Sequence, residues 1–295
     1  MDLVSTRRRG GLEAVVGMRG VVGRLYSIVV IPAAGWWSGR AGHRTPGPVL
    51  LYGPSGGGKR YLAEAVAETL GAPFVPVDLP GLLLSGSGPG TGTPGEAADQ
   101  PDAGRSLVAS VAILREQVGD ERAVVWLSGV DRVVQSGRAA QRRLAALLEA
   151  IRAGAVLDRA VCLGATEAPW LLDPEMLSGV GFDRFVHVPP PDWHARLLRI
   201  GRRATRRRLD VDACLEQIAR CAAGWSGDEI DELVDQLALL AGEEGIVTGP
   251  MIAEAVGATG SRMPQWRSRA LPVLAHHDER GGFDDLVPHL SLTDG

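Results

Sequence analysis

Five short apolar runs, rich in β-branched residues, recur between positions 48 and 191 of the 295-residue chain. Continuous apolar runs of this length are typical of strands buried on both faces of a parallel sheet. Segments with helical spacing separate the runs, which predicts an α/β fold whose parallel sheet has helices on both faces. The runs are PVLLY, PFVPVDL, AVVWLSGV, AVCLGATE and FVHVPPP, and the separating helices include 60–70, 105–118 and 138–153.

Other patterns flank this region on both sides. Residues 10–30 have amphipathic helical spacing, and the Gly/Pro-punctuated AGWWSGRAGHRTPG that follows is typical of a linker. From Asp192 onward the pattern is wholly helical, which predicts a small helical domain. The predicted organisation is an N-terminal helix and linker at 1–47, an α/β core at 48–190, the helical domain at 191–258 and a C-terminal tail at 259–295.

Two segments fall outside these periodic patterns. The stretch 84–104, LSGSGPGTGTPGEAADQPDAG, is low in complexity and predicts a solvated loop. The tail from Ser261 carries Trp266, the pair His276–His277 and GGFDDLVPHL, and it predicts a last helix packed on the body. Because adjacent histidines diverge on a helix, the pair predicts surface residues rather than a metal site.

Composition limits the partners and the compartment. The formal net charge is only −4, and basic residues are spread along the chain, so we expect no nucleic-acid partner. We expect no secretory segment and no apolar run long enough to span a membrane. The three cysteines, Cys162, Cys214 and Cys221, have neither disulfide nor zinc spacing, which predicts reduced thiols in a cytoplasmic protein.

Lysine is almost absent from the sequence. The chain has 30 arginines, a single lysine and no asparagine. That lysine is Lys59, which ends the Gly-rich stretch of LLYGPSGGGKR. A compact ammonium reaches between phosphate oxygens where a planar guanidinium fits poorly. A lysine kept at this one position therefore indicates anion binding.

The stretch around Lys59 matches the G-x-x-x-x-G-K part of a phosphate-binding loop, with a strand before it and a helix after it. In such a P-loop, successive backbone N–H groups form a nest, and the helix directs its positive end at the phosphates. The other interpretation is an ordinary Gly-rich turn. The candidate nucleotide-binding residues of the loop are Gly53, Pro54, Ser55, Gly56, Gly57, Gly58, Lys59, Arg60 and Tyr61.

Four further groups of residues point to one family. They are GGLEAV; GPVLLYGPSGGGK with LAEAVAETLGAPFVPVDLPGLL; LLDPEML with GFDRFVHVPPPDWHARLLRI; and GWSGDEIDELVDQLALLA. Together they make residues 10–258 resemble a single ATPase module of the AAA family. The resemblance implies a P-loop NTPase core with a helical lid, ATP or ADP as ligand, and assembly into a ring. It also implies that Gly10 and the lid turn Gly227–Asp228 flank the adenine.

The sequence departs from the family pattern where the family carries its metal-binding and water-activating groups. Arg60 stands in place of the Ser or Thr that ligates Mg²⁺. Ser128 and Gly129 stand in place of the Asp-Glu pair that ends the second strand motif. Asp131 survives two residues beyond, where it is expected to cap or pair structurally. No metal ligand is predicted, and Mg²⁺ binding is doubtful.

Other functional positions of the family are also replaced. Glu167 stands at the polar sensor, while Ser178 and Gly181 stand at the two arginine fingers, although Arg184 remains. The stretch 84–104 lacks the aromatic residue that polypeptide-threading members carry after the second strand. Phosphoryl transfer needs positioned positive charge and an activated water. These departures from the family pattern therefore predict a pseudo-ATPase with no catalytic residue.

Several hypotheses concern Arg60 and Glu167, both expected near the terminal phosphates. The Arg60 guanidinium contacts phosphate in place of a metal, pairs with Glu167 across an empty site, or points to solvent from the first helical turn. A further hypothesis makes Glu167 a substitute general base, although its charge would repel the γ-phosphate without a metal nearby.

Three classes of function stay open. The first is a nucleotide-binding but hydrolysis-impaired subunit, regulatory or structural, that works with an active partner in a homo- or hetero-oligomer. The second is a weakly active ATPase with rewired site residues. The third is a nucleotide-free interaction module that has kept the fold and lost the ligand.

Overall fold

The computed structural model describes residues 10–40, 46–84, 102–119, 121–154, 159–173, 176 and 181–278. Across these residues, the five apolar runs form one parallel sheet in the order β2-β3-β4-β1-β5. The strands are β1 (Val49–Tyr52), β2 (Phe74–Asp78), β3 (Ala123–Ser128), β4 (Ala160–Thr166) and β5 (Arg184–His187). The predicted parallel α/β sheet is therefore confirmed.

Helices alternate with the strands and then continue alone. The helices before and within the sheet region are α1 (Arg19–Leu25), α2 (Ile31–Trp37), α3 (Lys59–Leu70), α4 (Leu79–Leu84), α5 (Asp102–Val118), α6 (Val130–Gln135) and α7 (Arg138–Arg152). After the sheet come α8 (Trp193–Arg207), α9 (Leu215–Cys221), α10 (Gly227–Ala241), α11 (Gly249–Thr259) and α12 (Met263–Asp278).

The sheet separates two apolar layers because successive strand residues point to opposite faces. In β1, Leu50 packs with helices α4 to α7, whereas Val49 and Leu51 pack with helices α1 to α3. β3 behaves in the same way, with Val125 in the first layer and Val124 in the second. Helices therefore cover both faces, as the continuous apolar runs predict.

The N-terminal helix is displaced along the chain from its predicted position. The prediction placed a helix at 10–30 and a linker from 34, but α1 and α2 run together from Arg19 to Trp37 through a π turn, Tyr26–Val30. Gly17, just before α1, has a positive φ of 76°, which ends any earlier helix. Pro32 lacks an N–H donor, and the π turn ends two residues before it, at Val30.

This helix also corrects an expectation about membrane spans. The helix from Arg19 to Trp37 has 19 residues and a mean hydropathy of 1.2, and 33% of its apolar stretch is buried. By length and composition alone, it could cross a bilayer. The expectation that no apolar run reaches that length is therefore wrong. Leu25, Val29 and Ala33 of this helix lie in the same apolar layer as β1 and α3.

The last helices form a separate apolar cluster. Ile200, Ile218, Leu233 and Ile252 are buried together, one from each of α8 to α11. At the start of α10, the Ser226 side chain accepts the Glu229 N–H, and the Glu229 carboxylate accepts the Ser226 N–H, which forms a capping box. The box fixes where α10 begins.

A final helix packs on the body, as the tail pattern predicts. In α12, Trp266 and Ala270 pack against Tyr52 of β1 and Trp170. The side chains of His276 and His277, the chain after 278 and residues 85–101 lie outside the described residues. The predicted loop 84–104 is wrong at its two ends, because Leu84 ends α4 and residues 102–104 begin α5.

Candidate functional site

The P-loop leaves the carboxyl end of β1, which lies between β4 and β5. In open α/β sheets, ligands bind in the crevice outside the carboxyl ends of the strands, where the strand order reverses. Here a cavity of about 460 Å³ opens at that edge. The P-loop, the ends of β3 and β4, and α8 all contribute residues to its lining.

Glycine is required in the loop at specific positions. Gly56 and Gly58 have positive φ angles of 65° and 83°, a region that disfavours side chains. A Cβ at Gly56 would also overlap the backbone nitrogen of Asp228, and one at Gly53 would overlap the carbonyl of Val188. Gly58 is the N-cap of α3, so the loop carries the chain into a helix N-terminus. This is the conformation of an anion-binding loop rather than of a simple turn.

Lys59 is turned back onto its own loop. Its Nζ donates to the carbonyls of Gly53 at 2.9 Å and Pro54 at 2.7 Å, and lies 3.7 Å from the Glu167 carboxylate. Only 8% of Lys59 is exposed. Burial lowers the pKa of Lys59, and the nearby carboxylates of Glu167 and Asp131 oppose that shift. The ammonium is therefore held at the loop by acceptors that a phosphate could replace.

Arg60 lies outside this arrangement. Its Nε donates to Glu64 at 3.0 Å, and its guanidinium lies 5.9 Å from the centre of the Phe74 ring. The side chain is 63% exposed. The hypothesis that Arg60 pairs with Glu167 is wrong, because Lys59 makes that pair. The i, i+4 partner Glu64 holds the guanidinium on the outer surface of α3, as in the solvent-facing hypothesis.

Glu167 is fixed through its backbone as well as its carboxylate. Its N–H donates to Asp131 at 2.9 Å, and its carbonyl accepts the indole N–H of Trp266 at 2.7 Å. Asp131 also accepts the hydroxyl of Thr166, which confirms the predicted structural role of Asp131. Burial raises the pKa of Glu167, and Lys59 opposes that shift.

The end of β3 presents no carboxylate at its two replaced positions. The Ser128 Oγ donates to the carbonyl of Val77 at 2.8 Å, so the hydroxyl is directed at β2. Gly129 has a φ of 77° and begins α6, and a Cβ there would lie 2.7 Å from Cδ of Pro80. A side chain at Gly129 would therefore be strained by both the backbone and its neighbour.

The lid, which is the helical cluster from α8 to α11, contacts the P-loop. The Ser55 hydroxyl donates to Asp228 at 2.5 Å, and Arg199 Nη1 donates to the Gly56 carbonyl at 3.0 Å. A Cβ at Gly227 would overlap that same carbonyl. The structure therefore brings Gly227 and Asp228 to the P-loop.

Comparison with known proteins decides the family. Residues 49–190 match the model of the ATPase family associated with various cellular activities (AAA). The chain carries an AAA module. Protein SAV of Sulfolobus acidocaldarius is 31% identical over 201 residues, which make up 66% of this chain and 24% of that protein. The ATP-dependent zinc metalloprotease FtsH 3 of Symbiobacterium thermophilum is 27% identical over 257 residues, 84% of this chain and 40% of that protein.

The chain thus spans roughly a quarter to two fifths of these relatives. Two crystal structures of the FIGL-1 AAA domain, one of them in complex with ADP, share the fold. They align with TM-scores of 0.67 and 0.68 at 21% identity, covering 90% and 94% of this chain and 91% and 92% of the FIGL-1 chains. The agreement includes the P-loop NTPase core and the helical C-terminal part.

One predicted residue of the AAA module is misplaced. The Gly11 N–H donates to Glu68 and the Leu12 N–H to Thr69, both at 2.9 Å. Gly10 therefore lies beside the last turn of α3, about 15 Å of helix away from the P-loop. The prediction that Gly10 flanks the site is wrong, because Gly10 lies beside the C-terminal end of α3, whereas the P-loop lies at its N-terminal end.

A different N-terminal turn lies at the loop of the AAA module. The Met18 Cε lies 3.6 Å from the position of a Cβ on Gly58, and a Cβ on Gly17 would overlap the Asp192 carboxylate at the start of α8. Both residues line a groove of about 1230 Å³ that also includes His187 and Asp192. Sequence reasoning missed this turn, although a glycine just before an amphipathic helix was a usable signal.

The finger positions of the AAA module are only partly described. Ser178 lies outside the described residues. The Gly181 carbonyl accepts Arg152 Nη2 at 2.6 Å, and Arg152 also pairs with Asp183. Arg184 lies in β5 and donates to the Asp183 carbonyl at 2.9 Å. Gly181 supplies a backbone acceptor in this region and no cation.

The family also implies Mg²⁺ beside the nucleotide, and Mg²⁺ takes oxygen ligands. Arg60 carries no acceptor, Gly129 carries no side chain, and the Ser128 hydroxyl is engaged with Val77. The Asp131 carboxylate accepts two hydrogen bonds. Positions 60 and 129 therefore offer no oxygen ligand where the family pattern has one.

Proposed function

We propose that this AAA module binds ATP or ADP at its P-loop, hydrolyses ATP poorly or not at all, and serves as a regulatory or structural subunit beside an active partner. The observation that carries the proposal is the end of β3. The Ser128 hydroxyl is directed at Val77, and Gly129 has no side chain. Removing a water-activating group typically costs about 10²–10⁴-fold in rate.

Nucleotide binding is supported by the loop itself. The positive-φ glycines and the α3 N-terminus form an anion cradle, and Lys59 is held there by two carbonyls and Glu167. Phosphate oxygens can replace these acceptors with stronger charge-assisted hydrogen bonds. The related FIGL-1 domain was crystallised with ADP, and we extend adenine nucleotide to this chain as part of the proposal.

Slow hydrolysis is a second candidate, because one carboxylate does line the cavity. Glu167 is 51% exposed, and burial raises its pKa toward that of a useful general base. Its pair with Lys59 opposes this role, since the carboxylate must leave the lysine before it can approach a water. The candidate predicts weak phosphate release that requires Glu167.

The partners belong to the same proposal. AAA family members typically form oligomeric rings, and we propose a homo- or hetero-oligomer here. Gly181 cannot supply a cation to the site of a neighbouring subunit. The subunit would therefore join a ring or slow its ATP hydrolysis rather than activate its neighbour. A cytoplasmic location, with no nucleic-acid partner, fits the slight net charge and the three unpaired thiols.

Two measurements test the proposal together. ATP and ADP should each raise the melting temperature, because a ligand that binds only the folded state stabilises it by about 2.7 kcal/mol at 100 times Kd. Phosphate release should equal that of the Lys59→Ala variant. Release well above that control would favour the slow ATPase, and an unchanged melting temperature would favour a nucleotide-free interaction module.

A further inference from the structure

We propose that Arg199, on the first lid helix, is the second phosphate-binding cation of this site and stands in for the divalent metal. The site would then take nucleoside triphosphate without Mg²⁺. This inference rests on the proposed function, because it assigns a ligand contact within the same cavity.

The position of Arg199 is the first support. Among the described residues, the cations that line the cavity are Lys59, Arg60 and Arg199. Arg60 is turned outward to Glu64, so Lys59 and Arg199 are left to face a ligand. Arg199 already reaches the loop, since its Nη1 lies 3.0 Å from the Gly56 carbonyl.

The guanidinium is also held in a defined orientation. Asp231 on α10 accepts from Nε and Nη2, each at 2.9 Å. A guanidinium has five N–H groups, and Asp231 and Gly56 engage three of them. Of the remaining two N–H groups, one belongs to Nη1 and one to Nη2. Nη2 lies 3.7 Å from the Asp228 carboxylate. The bidentate pair with Asp231 fixes the plane of the guanidinium and leaves two N–H groups free of it. A guanidinium held in this way is suited to binding phosphate.

The lid makes room for this side chain. A Cβ on Gly227 would lie 2.5 Å from Arg199 Nη1 and 2.7 Å from its Cζ, besides overlapping the Gly56 carbonyl. Gly227 has no positive φ, so its backbone conformation does not demand glycine. The close approach of Arg199 to the loop does demand it.

The charge of the site gives the reason for a second cation. Glu167, Asp131 and Asp228 all lie close enough to affect the pKa of Lys59. A triphosphate must therefore enter against three carboxylates, and one buried ammonium is a weak counterweight without a metal. Arg199 adds a second permanent cation at the cavity, and its pair with Asp231 offsets part of that charge.

The same helix offers a matched control. One turn further on, Arg203 pairs with Asp235 on α10 through the same two nitrogens, at 2.8 and 2.5 Å. Arg203 is not among the residues that line the cavity. Arg203→Gln removes an equivalent ion pair without touching the loop, although Asp235 keeps Arg207 as a partner.

The test is calorimetric titration of ATP in EDTA, with adenosine as a probe of the base alone. We expect Arg199→Gln to weaken ATP by at least about tenfold, the loss of one charge-assisted hydrogen bond, and adenosine by less than about twofold. Arg203→Gln should bind ATP like wild type. Melting temperatures of both variants report whether the fold is kept.

The outcomes separate the two proposals. The wild-type titration is repeated with Mg²⁺ in place of EDTA. If wild type binds no ATP in either condition, the proposed function fails, and this inference fails with it. If wild type binds ATP and Arg199→Gln binds it equally well, or if binding strictly requires Mg²⁺, only the role of Arg199 is overturned. Equal losses in the Arg199 and Arg203 variants would also overturn it, because they would show a general effect of lid stability.

Discussion

The two walls of the P-loop cavity are built from different chemistry. On the core wall, Ser128 and Gly129 present no carboxylate, and the hydroxyl that remains is directed at β2. On the lid wall, Arg199 and Asp228 make direct hydrogen bonds to the loop. The described end of β3 thus carries no carboxylate at positions 128 and 129, whereas two residues of the lid wall hydrogen-bond directly to the loop. Under the proposed function, holding a phosphate and activating a water would depend on separate elements of this fold.

The largest effect on ATP binding is expected at Lys59, on the P-loop that lies between the two walls. Lys59→Ala should weaken ATP binding by at least about 100-fold, because a buried charge-assisted contact to phosphate is lost. The nucleotide-induced rise in melting temperature measures this. Arg60→Ala is the control and should keep the rise, since its guanidinium lies on the outer surface of α3. A rise that survives in Lys59→Ala would contradict the assignment of the loop.

The lid wall can be broken separately at Gly227. Gly227→Ala places a methyl group against the Gly56 carbonyl and Arg199, and should cost about 1–3 kcal/mol of unfolding free energy in urea titration. Gly201→Ala on α8 is the matched control, because a Cβ there meets nothing within 4 Å. That variant should gain about 0.5–1 kcal/mol. Equal effects from the two would deny a tight contact between lid and loop.

The core wall can be challenged by restoring its acids. The double variant Ser128→Asp, Gly129→Glu should not raise phosphate release above wild type, because the backbone at Gly129 and the ring of Pro80 oppose any side chain there. We expect a loss of about 1–2 kcal/mol in stability. Gly129→Ala carries the same backbone strain without the charge, and should lose a similar amount. Restored turnover would show that the wall needs only its carboxylates.

The smallest effect concerns the pH dependence of stability that arises from Glu167, the partner of Lys59. Since burial raises the pKa of Glu167, the folded protein keeps this proton to a higher pH than the unfolded chain does. The group therefore favours folding in acid, and this contribution fades as pH rises through the folded-state pKa. Urea titrations between pH 4 and 7 should show the wild type losing stability relative to Glu167→Gln as pH rises. A constant difference would contradict the shift.

The fold and the loop could be predicted because they depend on local pattern. Strand runs such as PVLLY and the spacing of Gly53, Gly58 and Lys59 report buried strands and a phosphate nest without any tertiary information. The lid turn at Gly227–Asp228 came from resemblance, and the structure places it at the loop.

The other contacts of the site depend on packing between distant segments. In the sequence, nothing distinguishes Arg199 from the other arginines on α8. Only the packing of α8 against α10 brings Arg199 to the loop. The same applies to Gly17 and Met18, whose position relative to the P-loop depends on how the N-terminal turn runs along α3. Lys59 rather than Arg60 meets Glu167 because of the direction in which α3 leaves the loop.

Trp266 has a consequence beyond the packing of α12. Its indole N–H is bonded to the carbonyl of Glu167, whose carboxylate pairs with Lys59. One residue therefore joins the lysine of the P-loop to the last described helix, through its side chain on one side and its backbone on the other. Under the proposed function, a ligand that drew Lys59 away from Glu167 would change a contact one residue removed from α12.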